Sequence, residues 1–509
     1  MQSAIQKEIL RIADRQLRER SGREVTWQEY AEKFKRRTGL PYGSPKSTSS
    51  AAPHKHFEPK YCKKHAKFLA KGIWHSILSG KYSPIPAVNF SIPKPNGGHR
   101  SLMQFSIPDS AVANVVMRRL RERNIKRFSP HSFAYHPQLN IFDAIIDTRK
   151  YISSSDKIFS VQVDFTDYFE SIRHKYFTRL LSNRELFSLT DAERNVVWSF
   201  LKHRYAMKNQ YARAQFERRQ RGTPQGSSLS LILANLANHR LDISLEKRGG
   251  KFVRFADDVT ALCDSYEGAV QLEKEFYEHC KGTGISINFL KSPGINLLSK
   301  ASGPDVIDHE IRSVSKIDYL GYRFTKDSLT LSDKTIVRIK RKISKLISIY
   351  LIQYGRDYQF ARHRVGGAPK YDWDLLGLVS ELRNYIYGGL PERSIKAMIK
   401  SGKKLRKMSG LMSFYALLED HSVLAELDGW LVNAVRRAHA ARMNLMFAGR
   451  PYPVRVTNAS LILGTWMDAA AWDGNDVPEF QFPSFVRGWR AARKYYYTFG
   501  LKEVKPPSY

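Results

Sequence analysis

Hydrophobic positions recur at helical spacing from the N-terminus to about residue 40, in a segment that opens MQSAIQKEILRIADRQLRER and mixes acids with bases. From Pro41 to Pro53 the chain is rich in Ser, Pro and Gly, the composition of a loop or linker. Helical spacing returns over 60–80 around Phe68, Leu69, Ile73 and Trp74. Between Val88 and Ile107 the pattern becomes strand, turn and strand, centred on Lys94-Pro95-Asn96-Gly97-Gly98. Asn-Gly supplies the positive φ angles of a tight turn, so a hairpin is predicted there. A helix over 109–123 follows, then a strand from Phe159 to Asp164 that is apolar at alternate positions and ends in an acid. Residues 173–220 predict mostly helix and turn strongly basic towards their end. A helix from Leu231 to Leu245 precedes two strands, Lys251–Phe255 and Val259–Cys263, joined by Ala256-Asp257-Asp258. A further helix spans 266–281, and beyond Leu331 helix dominates, including Val423–Met446. No internal repeat or low-complexity block interrupts the pattern.

Size and charge sharpen this outline. With 509 residues the chain exceeds one compact core, so roughly two to four subdomains are expected. Hydrophobic residues make up 42% and aromatic residues 12%, enough to fold throughout. The net charge of +35 is more than a fold needs and repels itself, which points to a polyanionic partner: nucleic acid first, an anionic membrane second. Every apolar run is broken by charge before the roughly 18 residues of a membrane span, and the N-terminus lacks the apolar core of a signal peptide. Cys62, Cys263 and Cys280 form no CxxC pair, which argues against a zinc site or a disulfide framework and for a reducing, cytoplasmic setting.

Candidate chemistry lies in the acids. Asp257 and Asp258 are adjacent at a hairpin tip between apolar strands, where like charges repel unless protonated or paired. A divalent cation relieves that repulsion, and Mg2+ suits a site with few protein oxygens and positions left for water and phosphate. Asp164, ending a separate apolar strand, is a second carboxylate able to reach the same ion. Between these strands Arg221-Gly-Thr-Pro-Gln-Gly-Ser-Ser-Leu-Ser230 is a Gly-rich turn running into a helix, a place where backbone can approach a nucleotide.

These segments resemble the reverse transcriptases, in particular bacterial ones related to group II intron enzymes and retrons. Val163-Asp-Phe-Thr-Asp-Tyr-Phe169 resembles the first palm motif, Arg221–Ser228 the second, and Phe255-Ala-Asp-Asp258 the catalytic box, with Phe where Tyr is commoner. Gly284–Ser292 resembles the next motif, Tyr319–Phe324 the primer-grip hairpin, Ile92–Arg100 the fingers hairpin, and Ser132–Pro137 the segment lying against template. The resemblance covers about 88–390. It implies an α+β right-hand polymerase: fingers and palm built of an antiparallel sheet packed on helices, a helical thumb, and a helical C-terminal extension. The corresponding ranges are an N-terminal helical extension and linker (1–58), fingers and palm (59–330), thumb (331–400), and an extension of unassigned role (401–509).

By the same resemblance Asp164, Asp257 and Asp258 are catalytic and, with the Phe165 carbonyl, hold two Mg2+ ions, Mn2+ being an accepted substitute. Lys94, Arg100, Phe169, Gln225 and Lys291 meet the nucleotide, and Phe169 favours deoxynucleoside triphosphates by excluding a 2′-hydroxyl. Two basic stretches are assigned to nucleic acid: Arg204, Lys208, Arg213, Arg218 and Arg219, interleaved with Tyr205, Tyr211 and Phe216, and a helix whose Lys334, Arg338, Arg341 and Lys345 oppose the apolar Ile336, Ile339, Ile343, Leu346 and Tyr350. The expected partners are an RNA template, a structured non-coding RNA for preference, the cDNA product and deoxynucleotides, without a membrane; homo-oligomerisation stays open. There is no HNH-type Cys/His cluster and no RNase H carboxylate set, which favours the branch serving antiviral defence. The alternative is a maturase-like protein that binds and splices RNA. Tyr509 and Tyr497 are the candidate side chains for protein-primed synthesis.

Overall fold

The computed structural model describes residues 1–43, 52–93, 97–136, 138–155, 157–299, 311–353, 356, 365–366, 371–406, 408–447, 456–467 and 477–500. Lys94, Tyr509 and the tip of the 94–98 turn's first half lie outside the described residues. Two compact units divide the chain: Met1–Trp27 with Ser44–Ser315, and Gln28–Gly43 with Lys316–Tyr509.

The 3.6-residue patterns become helices α1 (Gln2–Thr38), which belongs to the first unit up to Trp27, and, wholly within that unit, α2 (Pro59–Lys64) and α3 (Ala66–Leu78). Ile5, Ile9 and Ile12 bury one face of α1 in the unit's core. The predicted hairpin forms from β1 (Ala87–Pro93) and β2 (His99–Gln104), with Ile92 opposite Arg100. Ser106 then caps α4 (Ile107–Asn124) by accepting the Asp109 N–H at 3.2 Å. The pattern did not predict α5 (Ile141–Ser153), whose start is a reciprocal Asn140–Asp143 capping box.

β3 (Ile158–Val163) leads through β4 (Phe165–Thr166) and α6 (Tyr168–Ser171) to α7 (His174–Ser182) and α8 (Asp191–Leu201). Beyond Leu201 the expected helix gives way to β5 (Arg204–Met207), a short α9 (Lys208–Tyr211) and β6 (Glu217–Arg218). β5 extends the hairpin sheet by pairing parallel with β1. The reason is a small separate core: Tyr211 and Ala206 are buried with Phe57 and Val88, Phe216 packs on them, and the Tyr211 hydroxyl donates to the Pro86 carbonyl at 2.9 Å. The rings read as stacking platforms are therefore taken up by packing.

α10 (Ser228–Lys247) is buried on nearly all sides. After it come β7 (Lys251–Phe255), β8 (Asp258–Cys263), α11 (Tyr266–Thr283), β9 (Ser286–Ile287), β10 (Gly294–Leu298) and β11 (Arg312–Val314). Five of these strands make one sheet in the order β11-β10-β3-β8-β7. The apolar β3 and β8 lie at its centre, antiparallel, with Val163 opposite Val259.

The second unit opens with three antiparallel strands, β12 (Ile317–Tyr319), β13 (Tyr322–Phe324) and β14 (Leu329–Leu331). Helices follow: α12 (Asp333–Ile347), α13 (Trp373–Tyr387), α14 (Glu392–Ser401), α15 (Leu411–Phe414), α16 (Ser422–Phe447), α17 (Asn458–Leu463) and α18 (Phe485–Phe499). The unit boundary thus falls at 315/316, where the sequence reading set it at 330/331. Packing explains the shift: Tyr322 is fully buried against Phe414 and Tyr415, and the Thr335 hydroxyl donates to the Gly321 carbonyl at 3.0 Å. A buried Arg442 holds the unit's interior by pairing with Asp372 at 2.9 Å and Asp374 at 2.7 Å. Among the described residues no helix is long and apolar enough to cross a membrane.

Candidate active site

β7 and β8 are joined by two residues, Ala256 and Asp257, with Phe255 opposite Asp258. Ala256 adopts φ +62, a left-handed conformation that costs an L-residue about 1–2 kcal/mol. Its carbonyl is pinned from below, accepting from Arg254 Nη1 at 3.1 Å and Asn238 Nδ2 at 3.2 Å. Arg254 is itself 0% exposed, and it donates five hydrogen bonds. Nε and Nη2 clasp both oxygens of buried Asp242 at 2.7 and 2.6 Å. Nη1 also reaches Asn235 at 3.1 Å and Nη2 reaches Ser132 at 2.7 Å. The Arg254 backbone adds bonds to His131 and Phe133, while Asn235 donates to the Ala134 carbonyl at 2.8 Å. One side chain therefore ties β7, the 131–135 segment and α10 to the acidic turn.

Asp164 lies one residue past Val163, so the β3–β8 register carries it to the level of Asp258 beside that turn. Its backbone is fixed by the β9–β10 segment: its N–H donates to Ser292 Oγ at 3.0 Å and its carbonyl accepts from Asn288 N–H at 2.8 Å. Lys291 Nζ stands 3.4 Å from Asp164 Oδ2. Burial, then the charge of Asp164, push the Asp257 carboxyl above the usual carboxylate range; its own backbone N–H, Arg100 and Lys291 pull the other way. Asp164, Asp257, Arg100 and Lys291 are thus one electrostatic group. Asp257 is half-buried while Asp258, first residue of β8, is exposed, because successive residues diverge as the strand begins. Among the described residues no group of three or more His, Cys, Asp or Glu side chains is arranged to hold a metal ion. The carboxylates that meet at this turn are Asp164 and Asp257, and one or two carboxylates with substrate phosphates and water are the usual protein share of a magnesium site.

The other predicted residues divide. The Phe165 ring is buried, and its strand β4 pairs with β9 at Ile287. Phe169 is half-buried, its ring edge-on to Tyr168 at 5.6 Å. Its carbonyl accepts from the Thr223 N–H at 2.6 Å, and a Cβ on Gly222 would come within 2.5 Å of that carbonyl oxygen. Glycine is therefore required where the 221–228 turn crosses Phe169. Gln225 is half-buried, with its carbonyl accepting from Met103 N–H at 2.7 Å, which docks the turn on β2. Of the first basic stretch, Arg204, Lys208, Arg213 and Arg218 are exposed, Arg204 lying 5.7 Å from the Phe216 ring centre, whereas Arg219 is half-buried. In the second unit Lys334, Arg338, Arg341 and Lys345 are exposed along α12 while Ile339, Ile343 and Leu346 are buried, as the stripe predicts; Arg338 also donates to the Tyr415 hydroxyl at 3.3 Å. Tyr497 is 70% exposed and Tyr495 fully buried.

Sequence reasoning missed Arg254 and Asp242, and named Tyr135 only as part of the 132–137 segment. The signal was present for the first: an arginine inside the apolar strand Lys251-Phe-Val-Arg-Phe255 demands a buried partner. Tyr135 has φ +60, and burial followed by the Asp257 charge pushes its hydroxyl above the ordinary tyrosine range, which puts it beside the turn.

Residues 92–324 match the family model described as reverse transcriptase (RNA-dependent DNA polymerase). Over this stretch, a little under half of its length, the chain is similar to a reverse transcriptase domain. Every feature of the turn described above falls inside the matched residues. Protein YkfC of Escherichia coli is 23% identical over 176 residues, 34% of this chain and 44% of that protein. A putative COX1/OXI3 intron 2 protein of Saccharomyces cerevisiae is 29% identical over 170 residues, 33% of this chain and 18% of that protein. The chain thus spans less than half the length of these curated relatives. Among solved structures, telomerase from Candida albicans in complex with a fragment of telomeric RNA aligns with a TM-score of 0.38 at 12% identity, covering 74% of this chain and 64% of that one.

Two outcomes follow for the first unit. Arg254→Met leaves Asp242 buried without a counter-charge and should cost about 3–5 kcal/mol in urea denaturation, whereas Arg254→Met with Asp242→Leu should recover most of it. A single variant as stable as the parent would refute the hub. Asp257, with its carboxyl raised in the fold, holds its proton more tightly folded than unfolded. Stability is therefore lost as pH rises from the ordinary carboxylate range through the folded value. In metal-free buffer at neutral pH, Asp257→Asn should melt higher than the parent, the two converging in acid; calorimetry across pH checks it.

Proposed function

We propose that this chain copies RNA into DNA, with Asp164 and Asp257 as the carboxylates that hold two catalytic divalent cations, the Phe165 carbonyl as a further ligand and Asp258 as an outer third. The observation that carries the reading is the convergence of Asp164 and Asp257 at the apposed ends of two central strands, flanked by Arg100 and Lys291. Mg2+ is the natural ion for oxygen donors and Mn2+ a workable substitute. When bound, such ions supply Lewis-acid stabilisation of both the attacking and the leaving oxygen.

The chain's own residues do the rest. Arg100 and Lys291 offer cationic groups to a triphosphate, Arg100 in the planar geometry suited to two phosphate oxygens. Lys291 sits where it can pass a proton to departing pyrophosphate. Phe169, steadied by the 221–228 turn, backs the sugar and selects deoxynucleotides. Under this reading the first unit is fingers and palm, and the second begins with the primer grip and a thumb whose basic α12 face tracks phosphates. The template is RNA, and we favour a structured non-coding RNA serving antiviral defence. Relatives named as intron proteins support a second reading, a maturase-like RNA-binding role; it would be favoured if Asp164→Asn with Asp257→Asn left the biological function intact.

Primer extension on an RNA template tests the main reading. Asp164→Asn or Asp257→Asn should each lower deoxynucleotide incorporation by about 10²–10³-fold, the scale for losing one transition-state stabiliser, with RNA affinity kept. Chelation of Mg2+ should stop the parent and Mn2+ restore it. Separately, Phe169→Ala should narrow the preference for deoxynucleotides over ribonucleotides by roughly tenfold or more, read as a ratio of kcat/KM values. Unchanged discrimination would remove Phe169 from sugar selection.

A further inference from the structure

The second unit holds a cavity of about 890 Å³ that no step of the proposed polymerase uses. Its walls are the turn from α13 to α14, the first turns of α14 and the segment that follows that helix. Four cations line it, Arg393, Lys403, Lys404 and Arg406, and no carboxylate is among the described residues that do so. The acids beside α14 face other partners. Glu392 is buried and accepts from Arg487 Nε, and Glu479 accepts from the N–H groups of Glu392 and Arg393, the latter at 2.9 Å. Lys404 leans on the Phe499 ring, 5.2 Å from its centre. Arg393, Lys403 and Arg406 are exposed and form no ion pair with a described residue. Like charges around one concavity repel one another, and an anion is what relieves them.

The walls are held in place by close backbone approach. Gly388 and Gly389 turn the chain at φ +68 and +81. A Cβ on Gly388 would lie 2.0 Å from Ser409 Oγ, and one on Gly410 would lie 2.2 Å from Gly388 N. Glycine on both sides therefore lets the two walls touch. The Gly388 and Gly389 N–H groups donate to the Asn384 and Arg383 carbonyls at 3.0 and 3.4 Å, so recognition falls to the side chains. Leu390 and Leu405, each 7% exposed, add apolar lining next to the cations. A cavity of this size with an apolar part suits an organic molecule better than a bare inorganic anion. Its charge suits a triphosphate, which carries about four negative charges at neutral pH.

We propose that this cavity binds a nucleoside triphosphate group, carried either by a free ribonucleotide or by the 5′ end of an RNA. Arg393 and Arg406 grip phosphate oxygens in pairs, Lys403 and Lys404 add point charges, and the leucines meet the base. The site uses no residue of the acidic turn and does not rest on the polymerase reading.

Isothermal titration calorimetry on the full chain in metal-free buffer tests it, with ATP, adenosine, a short 5′-triphosphorylated RNA and the same RNA ending in a 5′-hydroxyl. ATP, the triphosphorylated RNA or both should bind at least about tenfold more tightly than the counterpart without phosphates. Lys403→Gln with Arg406→Gln should weaken that binding about tenfold or more, the scale of losing charge-assisted hydrogen bonds, with little change in melting temperature because both side chains are exposed. Binding of ATP identifies a free nucleotide as the ligand, and binding of the triphosphorylated RNA alone identifies an RNA end. Equal binding of the two RNAs without binding of ATP would reduce the site to a general backbone contact and overturn the proposal. So would a loss that follows Arg100→Gln with Lys291→Gln instead, which would place the triphosphate at the acidic turn. A parent chain that binds ATP through Lys403 and Arg406 but extends no primer would sink the polymerase reading and leave this site standing.

Discussion

The Arg254–Asp242 pair is the constraint on which the rest of the first unit depends. Both side chains are fully buried, and removing two charges from water is costly unless every donor and lone pair is met. Arginine meets that condition here because its planar fork offers five donors in fixed directions; lysine has three on a flexible stem. One fork satisfies a carboxylate on α10, a hydroxyl and an amide beside it, and the carbonyl of the strained residue at the turn. A left-handed alanine between two apolar strands would otherwise relax, and Asp257 would swing with it. The buried pair is thus weak as a source of net stability and strong as a means of specifying one geometry.

Asp257 shows what that geometry is for. Burial and Asp164 both oppose its ionisation, and Arg100 and Lys291 favour it. The balance leaves two carboxylates at close range whose repulsion only partly finds relief within the protein. A rigid frame holds them there, and under the proposed function a divalent cation with triphosphate is what relieves the repulsion. Placing the charges on strand ends, with a central sheet behind them, keeps them apart from the motions of the surrounding loops.

What was legible in the sequence follows from range. Period-two patterns located β3, β7 and β8 within a residue, and the 3.6-residue pattern located α10 within three and α12 within four, since each strand or helix buries a face that its own sequence declares. That Asp164 would end a central strand, that Asp257 would stand at a hairpin tip and that Gly222 would lie in a turn was also legible, from the strand pattern and the Gly-rich run. The 202–221 stretch was not, because its fate is decided by distant residues: Phe57, Val88 and the edge of β1 draw Tyr211 and Phe216 inward and make a strand of a basic segment that reads as helix. The unit boundary escaped for the same reason, set by Tyr322 meeting Phe414 and Tyr415 about ninety residues downstream. Arg254 stood in plain view, but its partners come from three segments that no local window joins.

α10 joins these observations into one device. Asn238 on this helix holds the Ala256 carbonyl, Asp242 holds Arg254, and Ser227–Ser228 open its other end towards the arginines of α1 and α4. Ten residues separate Ser228 from Asn238, about 15 Å of rigid rise. The helix start is therefore kept at a set distance from the acidic turn, with no loop in between to absorb error. Because the Ser230 hydroxyl donates to the Pro224 carbonyl at 2.6 Å and Gln225 is docked on β2, the turn that contacts Phe169 is bound to the same helix end. The turn that contacts Phe169 and the acidic turn are thus both anchored on α10, a helix buried on nearly every side.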